Sequence, residues 1–205
     1  MSLTIVYQTG AHDLARQLFG RDLDGETLAR AVGALDGAEV TFSVRHEWLF
    51  AEIKHPYVEA QECGIRRDGY GELYLYIHEL TKRASAPARL SVSMLLSQVA
   101  AAQILGISRI ELYAAGDPHS VSRNGYYTWA RCGFDARLTL RERRFLPPEL
   151  DAASTLNELM LMGGAAWWKK RGMERSMVFE IADDSSMMQT LREYARELEA
   201  TGWKP

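Results

Sequence analysis

Two periodicities alternate along the chain. Residues 3–8 are apolar and β-branched and run into Thr9-Gly10, which predicts a strand followed by a turn. Apolar positions then recur at helical spacing, Leu14, Leu18 and Phe19 in one segment and Leu28, Val32 and Leu35 in the next, predicting short helices over 14–19 and 26–35. Asp13 is placed to cap the first, and Asp24 or Thr27 the second. Past Asp36-Gly37 the period drops to two, so residues 39–44 and 46–54 read as an antiparallel hairpin. His55-Pro56 ends it, because proline cannot donate into a ladder. Residues 58–66 carry a weaker pattern, a strand or an irregular link, and Arg67-Asp68-Gly69-Tyr70-Gly71 turns the chain into a strand over 72–80. There Leu73, Leu75 and Ile77 share one face and Tyr74, Tyr76 and Leu80 the other, so the strand is expected to be central and covered on both sides.

The segment 90–105 is almost uncharged and predicts a helix buried between layers. Gly106 suits its C-terminus, and a strand over 107–115 follows. So tight a connection fits a right-handed parallel crossover, which puts a helix N-terminus and two strand ends at one edge, where an anion can be held. Residues 116–125 read as loop, 126–131 as a short helix ended by Gly133, and 134–140 as a strand leaving toward an edge. After Pro147-Pro148 come helices over 150–160 and 164–170, a strand over 176–181, and a terminal helix over 185–200 capped by Ser185 or Ser186. The pattern predicts one α/β (α+β) domain over residues 1–205. Its mixed central sheet has about six or seven strands with helices on both faces, and a helical insertion at 141–175 precedes the last strand.

At 205 residues the chain can bury a sizeable core. A formal charge of −3 argues against general nucleic-acid binding, which needs a basic face. Locally the balance reverses: residues 130–175 hold nine Lys/Arg against six Asp/Glu, which suits either a solvated face or a phosphorylated or acidic partner. Cys63 and Cys132 have no metal-ligand spacing and fit a reducing compartment. The scattered histidines form no metal motif, and there is no nucleophile elbow or P-loop. With no signal-peptide pattern and no membrane-length apolar run, a soluble cytoplasmic protein without membrane contact is expected.

The element order, together with the closing segment Asn124-Gly-Tyr-Tyr-Thr-Trp-Ala-Arg-Cys-Gly-Phe134, resembles the GNAT acyltransferase superfamily over residues 3–140 and 176–181. The resemblance implies an acyl-CoA-dependent N-acyltransferase, with acetyl-CoA or another acyl-CoA as co-substrate and a small-molecule or protein amine as acceptor; a homodimer is compatible with it. In that family a motif Arg/Gln-x-x-Gly-x-Gly/Ala holds the CoA pyrophosphate on backbone amides. The matching segment here, residues 87–96, has no glycine; the positions at which the resemblance implies cofactor contact are Leu80, Arg89, Ser91, Ser93 and Trp129. Trp129 stands where the family keeps the tyrosine that protonates the departing thiolate, and an indole cannot do that. Tyr126 or Tyr127 is the substitute acid, and Glu79 or His78, at the end of the central strand, the base that deprotonates the amine. Glu111 on the next strand is a further carboxylate. The alternative is a GNAT-like fold without CoA chemistry, used for binding, regulation or assembly, in which side chains fill the cleft near Ser91.

Overall fold

Strand β1 (Thr4–Tyr7) pairs in parallel with β2 (Glu39–Arg45), after which β3 (Trp48–Lys54), β4 (Val58–Arg67) and β5 (Leu73–Lys82) join antiparallel in chain order. The computed structural model describes residues 2–120 and 123–201. Val121 and Ser122 of the expected 116–125 loop lie outside them. The chain divides into two compact units, Met1–Ile110 and Glu111–Pro205. Among the described residues there are seven strands and eight α-helices, an α+β protein with strands of mixed direction.

In the first unit, α1 (Ala11–Phe19) starts earlier than its apolar spacing predicts, from Gly10 in the left-handed region, with no side-chain cap from Asp13. Helix α2 (Gly25–Ala31) is capped by Asp24, whose carboxylate accepts from the amides of Glu26 and Thr27. It stops short of Leu35 because Gly33 turns the backbone to a positive φ of 88°; a Cβ there would meet Gln61 Nε2 at 2.7 Å. The Gln61 amide donates to the carbonyls of Val32 and Gly33, and the Cys63 thiol lies against Val32 O. Helix α3 (Leu90–Leu105) packs on α2, and Arg67 on the same side of β4 reaches Leu18 O of α1. The unit's three helices therefore share the side of the sheet that carries Gln61, Cys63, Ile65 and Arg67. Leu49, Ile65, Leu75 and Leu95 are fully buried. Burial pushes the Cys63 thiol up to about 12, with Glu62 adding to the rise, which leaves it an inert core side chain.

Helix α3 departs from the all-round burial expected of it. Ser97, Ala100, Gln103 and Ile104 form an exposed strip, with Ile104 67% accessible. Small and uncharged residues read as apolar in the sequence yet tolerate water, so hydropathy alone does not mark the strip. Gly106 closes the helix in the left-handed conformation, as expected.

Strand β6 (Arg109–Ala114) spans the boundary between the units. The second unit continues with α4 (Gly125–Arg131), α5 (Leu140–Arg144), a 3-10 turn (Pro148–Leu150), α6 (Leu156–Leu161), α7 (Ala165–Arg171), β7 (Arg175–Glu180) and α8 (Ser186–Ala200). The helical segment before the last strand is present. The strand expected over 134–140 is not: Asp135 and Arg137 make only isolated bridges, to Val178 and Thr155. Thr139 instead caps α5 in a reciprocal box with Glu142. A second box, Thr155 with Glu158, starts α6 and splits the helix expected over 150–160. Ser185 caps α8, which buries Met188, Leu191 and Leu198. No helix among the described residues is long and apolar enough to cross a membrane.

Candidate functional site

The β3–β4–β5 register fixes what stands on the sheet face opposite Gln61 and Cys63. Phe50 pairs with Gly64 and Glu52 with Glu62; Gly64 pairs in turn with Tyr76, Arg66 with Tyr74, and Glu62 with Glu79. Paired residues project to the same side. An aromatic row of Phe50, Gly64 and Tyr76 therefore lies beside a carboxylate row of Glu52, Glu62 and Glu79.

A bulge adjusts the end of β5. Glu62 opposes Glu79 and Cys63 opposes Ile77, so His78 has no partner across the ladder. Two residues facing one is how a bulge re-aims side chains, and here it brings His78 and Glu79 onto one face. Leu80, paired with Gln61, goes to the helix-covered side instead of the Tyr74–Tyr76 side that strict alternation predicts.

His78 sits in a ring cluster, with its centroid 4.8 Å from Tyr76, 5.3 Å from Phe50 and 5.6 Å from Trp48. Gly64 makes the cluster possible: a Cβ on it would lie 2.6 Å from Trp48 Cε3 and 3.2 Å from His78 Nε2. Arg66 lies over the Trp48 ring at 4.3 Å and Arg45 over Phe50 at 3.7 Å. Burial among the rings lowers the His78 pKa; the Glu62 carboxylate raises it and Arg45 lowers it, leaving the imidazole below its ordinary value. It is thus neutral at physiological pH and able to accept a proton, and one side remains open to solvent. Glu52 and Glu62 also line a cleft of about 630 Å³ with Glu39, Glu59, Lys54 and Arg83. Lys54 forms exposed ion pairs with Glu39 and Glu52 at 3.8 and 3.9 Å. No three His, Cys, Asp or Glu side chains among the described residues are grouped to hold a metal ion.

The start of α3 is wound tightly. Arg89 takes the left-handed conformation, φ 69°, and its carbonyl accepts from the amides of Val92 and Ser93, while Leu90 N–H donates to Pro87 O. The amides of Leu90, Val92 and Ser93 are therefore spent inside the turn and not presented to an anion. Ser91 is buried and Ser93 half-buried.

Tyr126 and Trp129 belong to the second unit, whereas His78, Glu79, Leu80, Arg89, Ser91 and Ser93 belong to the first. Tyr126 is buried, and its hydroxyl donates to Lys169 O at 2.8 Å. Burial, with Asp117 and Tyr127 adding to it, raises its pKa, so the phenol holds the proton it has given to that carbonyl. Trp129 packs edge-on against Phe134 at 5.0 Å. The Gly133-Phe134 signature has a packing cause of its own: Gly133 has φ 93°, and a Cβ there would strike Met187 O at 2.3 Å.

Trp48, Phe50, Glu52, Glu62 and Gly64 are site residues the sequence reading missed. The alternation of Tyr74, Tyr76 and His78 was a signal for the ring row, but the strands that complete it are joined only by register. No protein-family model, curated protein or solved structure matches this chain.

Proposed function

We propose that the chain is an acyl-CoA-dependent N-acyltransferase whose acceptor amine docks on the ring and carboxylate face of the first unit. The observation that carries the reading is the bulge at His78. It sets a neutral imidazole among Trp48, Phe50 and Tyr76, beside Glu62 and Glu79. An ammonium arriving there meets aromatic faces and carboxylates that favour its charge, then a base able to remove its proton before attack on a thioester. Glu62 lies directly opposite Glu79, and like charges facing each other destabilise a sheet until a cation answers them; Glu52, the next in the row, is paired with Lys54. When bound, the acyl-CoA supplies the activated carbonyl; Arg89 and Ser93, at the start of α3, are the residues that would meet its anionic end.

The second reading, a binding or assembly module without CoA chemistry, is favoured by the spent amides of Leu90 and Val92 and by the engaged Tyr126 hydroxyl. Calorimetry with acetyl-CoA and succinyl-CoA, followed by a free-thiol release assay over a panel of amines, separates the two. The enzyme reading expects saturable CoA binding and amine-dependent thiol release, reduced ~100-fold or more in His78→Ala. Its rate should fall on acidification only below the ordinary histidine range, near pH ~6.5, because the pKa is lowered. No heat with either thioester would leave the module reading in place.

A further inference from the structure

The second unit carries a cleft of about 1040 Å³ that the acyltransfer reading does not use. Five cations line it, Arg137, Arg141, Lys170, Arg171 and Arg175, against three carboxylates, Asp117, Glu142 and Glu174. Each carboxylate is already engaged. Glu142 is paired with Arg175 and accepts from the Thr139 amide and hydroxyl; Glu174 accepts from Gly116 N–H at 3.2 Å; Asp117 accepts from His119 N–H at 2.7 Å. Of the cations only Arg175 is in an ion pair among the described residues. Arg137, Arg141, Lys170 and Arg171 are exposed and direct a net positive field into the cleft.

The walls between these charges are flat and apolar. Phe145 is 59% accessible, Met173 is likewise exposed, and Trp167 is half-buried. The Arg171 guanidinium stands 5.9 Å from the Phe145 ring centroid. The platform under them is rigid. Trp168, fully buried, donates its indole N–H to Tyr126 O at 2.9 Å, and Tyr126 donates in return to Lys169 O, so α7 is fastened through two successive residues. The capping box of α5 and the Glu142–Arg175 pair hold the opposite wall.

From this combination we infer that the cleft is a binding site for a phosphorylated aromatic small molecule of the nucleoside diphosphate class. The phosphates would be held by Arg141, Lys170 and Arg171 and the base would lie against Phe145 and Trp167. Guanidinium forks match phosphate oxygens in pairs, and cations without internal partners lose no ion pair on binding. Aromatic stacking is the part of the site that inorganic anions cannot exploit. The inference rests on second-unit residues alone and does not depend on acyl transfer.

Isothermal calorimetry of the full chain with ADP in metal-free buffer tests it, with adenosine and inorganic pyrophosphate titrated in parallel. The expected result is saturable binding of ADP that weakens as salt rises, with both fragments weaker by about tenfold or more. Lys170→Ala/Arg171→Ala, which removes exposed side chains, should weaken ADP by about tenfold or more at an unchanged unfolding midpoint, and Trp167→Leu should weaken ADP but not pyrophosphate. The proposal is overturned if ADP gives no saturable heat at millimolar concentration. It is equally overturned if the double variant binds ADP as well as the parent, or if poly-glutamate binds the cleft and ADP does not.

Discussion

The ring face of the first unit and the cleft of the second use the same materials, aromatic side chains and charge, in opposite senses. In the first, Glu62 and Glu79 face each other across the ladder while Lys54 pairs only with Glu52 and Glu39, and an uncharged imidazole lies among the rings. In the second, cations gather while every carboxylate is spent on an internal partner. The means of placement differ as well. Strand register and one bulge assemble the first, so its geometry depends on pairings between residues far apart in sequence. Short helices, α5 with a capping box and α7 without a side-chain cap, assemble the second, so each wall is set locally and then fastened by a few buried bonds. A site built on register fails by slipping; a site built on fastened helices fails when a fastener is removed.

The largest effect is expected at such a fastener. Trp168→Ala removes a side chain with no accessible surface and its hydrogen bond to the carbonyl of Tyr126; urea unfolding should show a loss of ~3–5 kcal/mol, together with loss of any ADP heat. Next comes Glu142→Ala, which leaves Arg175 largely buried and unpaired, at about 3 kcal/mol. Burial opposes charging of Glu142, but Arg175 and Thr139 outweigh it and hold the carboxyl below its ordinary value. The pair's stabilisation is therefore complete above the usual carboxylate range and lost as pH falls through the lowered value, so the parent and Glu142→Ala should converge in stability in acid.

Gly64→Ala tests the register-built site. Its methyl would intrude on Trp48 and His78, and a loss of ~1–3 kcal/mol is expected, with a change in near-ultraviolet circular dichroism as the rings shift. The smallest effect has the opposite sign. Glu62→Gln removes the central member of the carboxylate row and should stabilise the fold by ~0.2–1 kcal/mol while weakening acceptor amine binding. Loss of stability with no change toward amines would remove the reason for assigning that row to a ligand.

Much of the chain was legible from its residues. Asp24 and Ser185 cap helices where their positions suggest, Gly106 terminates α3, and the helix expected over 164–170 is present as α7, whereas the one expected over 150–160 is cut to α6. The expected strand at 134–140 failed because Thr139 and Glu142 close a capping box, a local signal that outweighs a few alternating residues. The nine cations of 130–175 were countable, but nothing in the count tells Arg175, which is neutralised, from Lys170, which is not.

The sequence by itself determined the elements, because caps, glycine turns and apolar periods act within one or two turns of chain. Tertiary structure alone decided the chemistry. Whether Glu62 faces Glu79 or slips past it, whether His78 is bulged, and whether the Tyr126 hydroxyl is free or tied to Lys169 are outcomes of pairings between segments tens of residues apart. Charge and proton affinity follow from those neighbours, and a residue's neighbours across a sheet are not written in its own stretch of sequence.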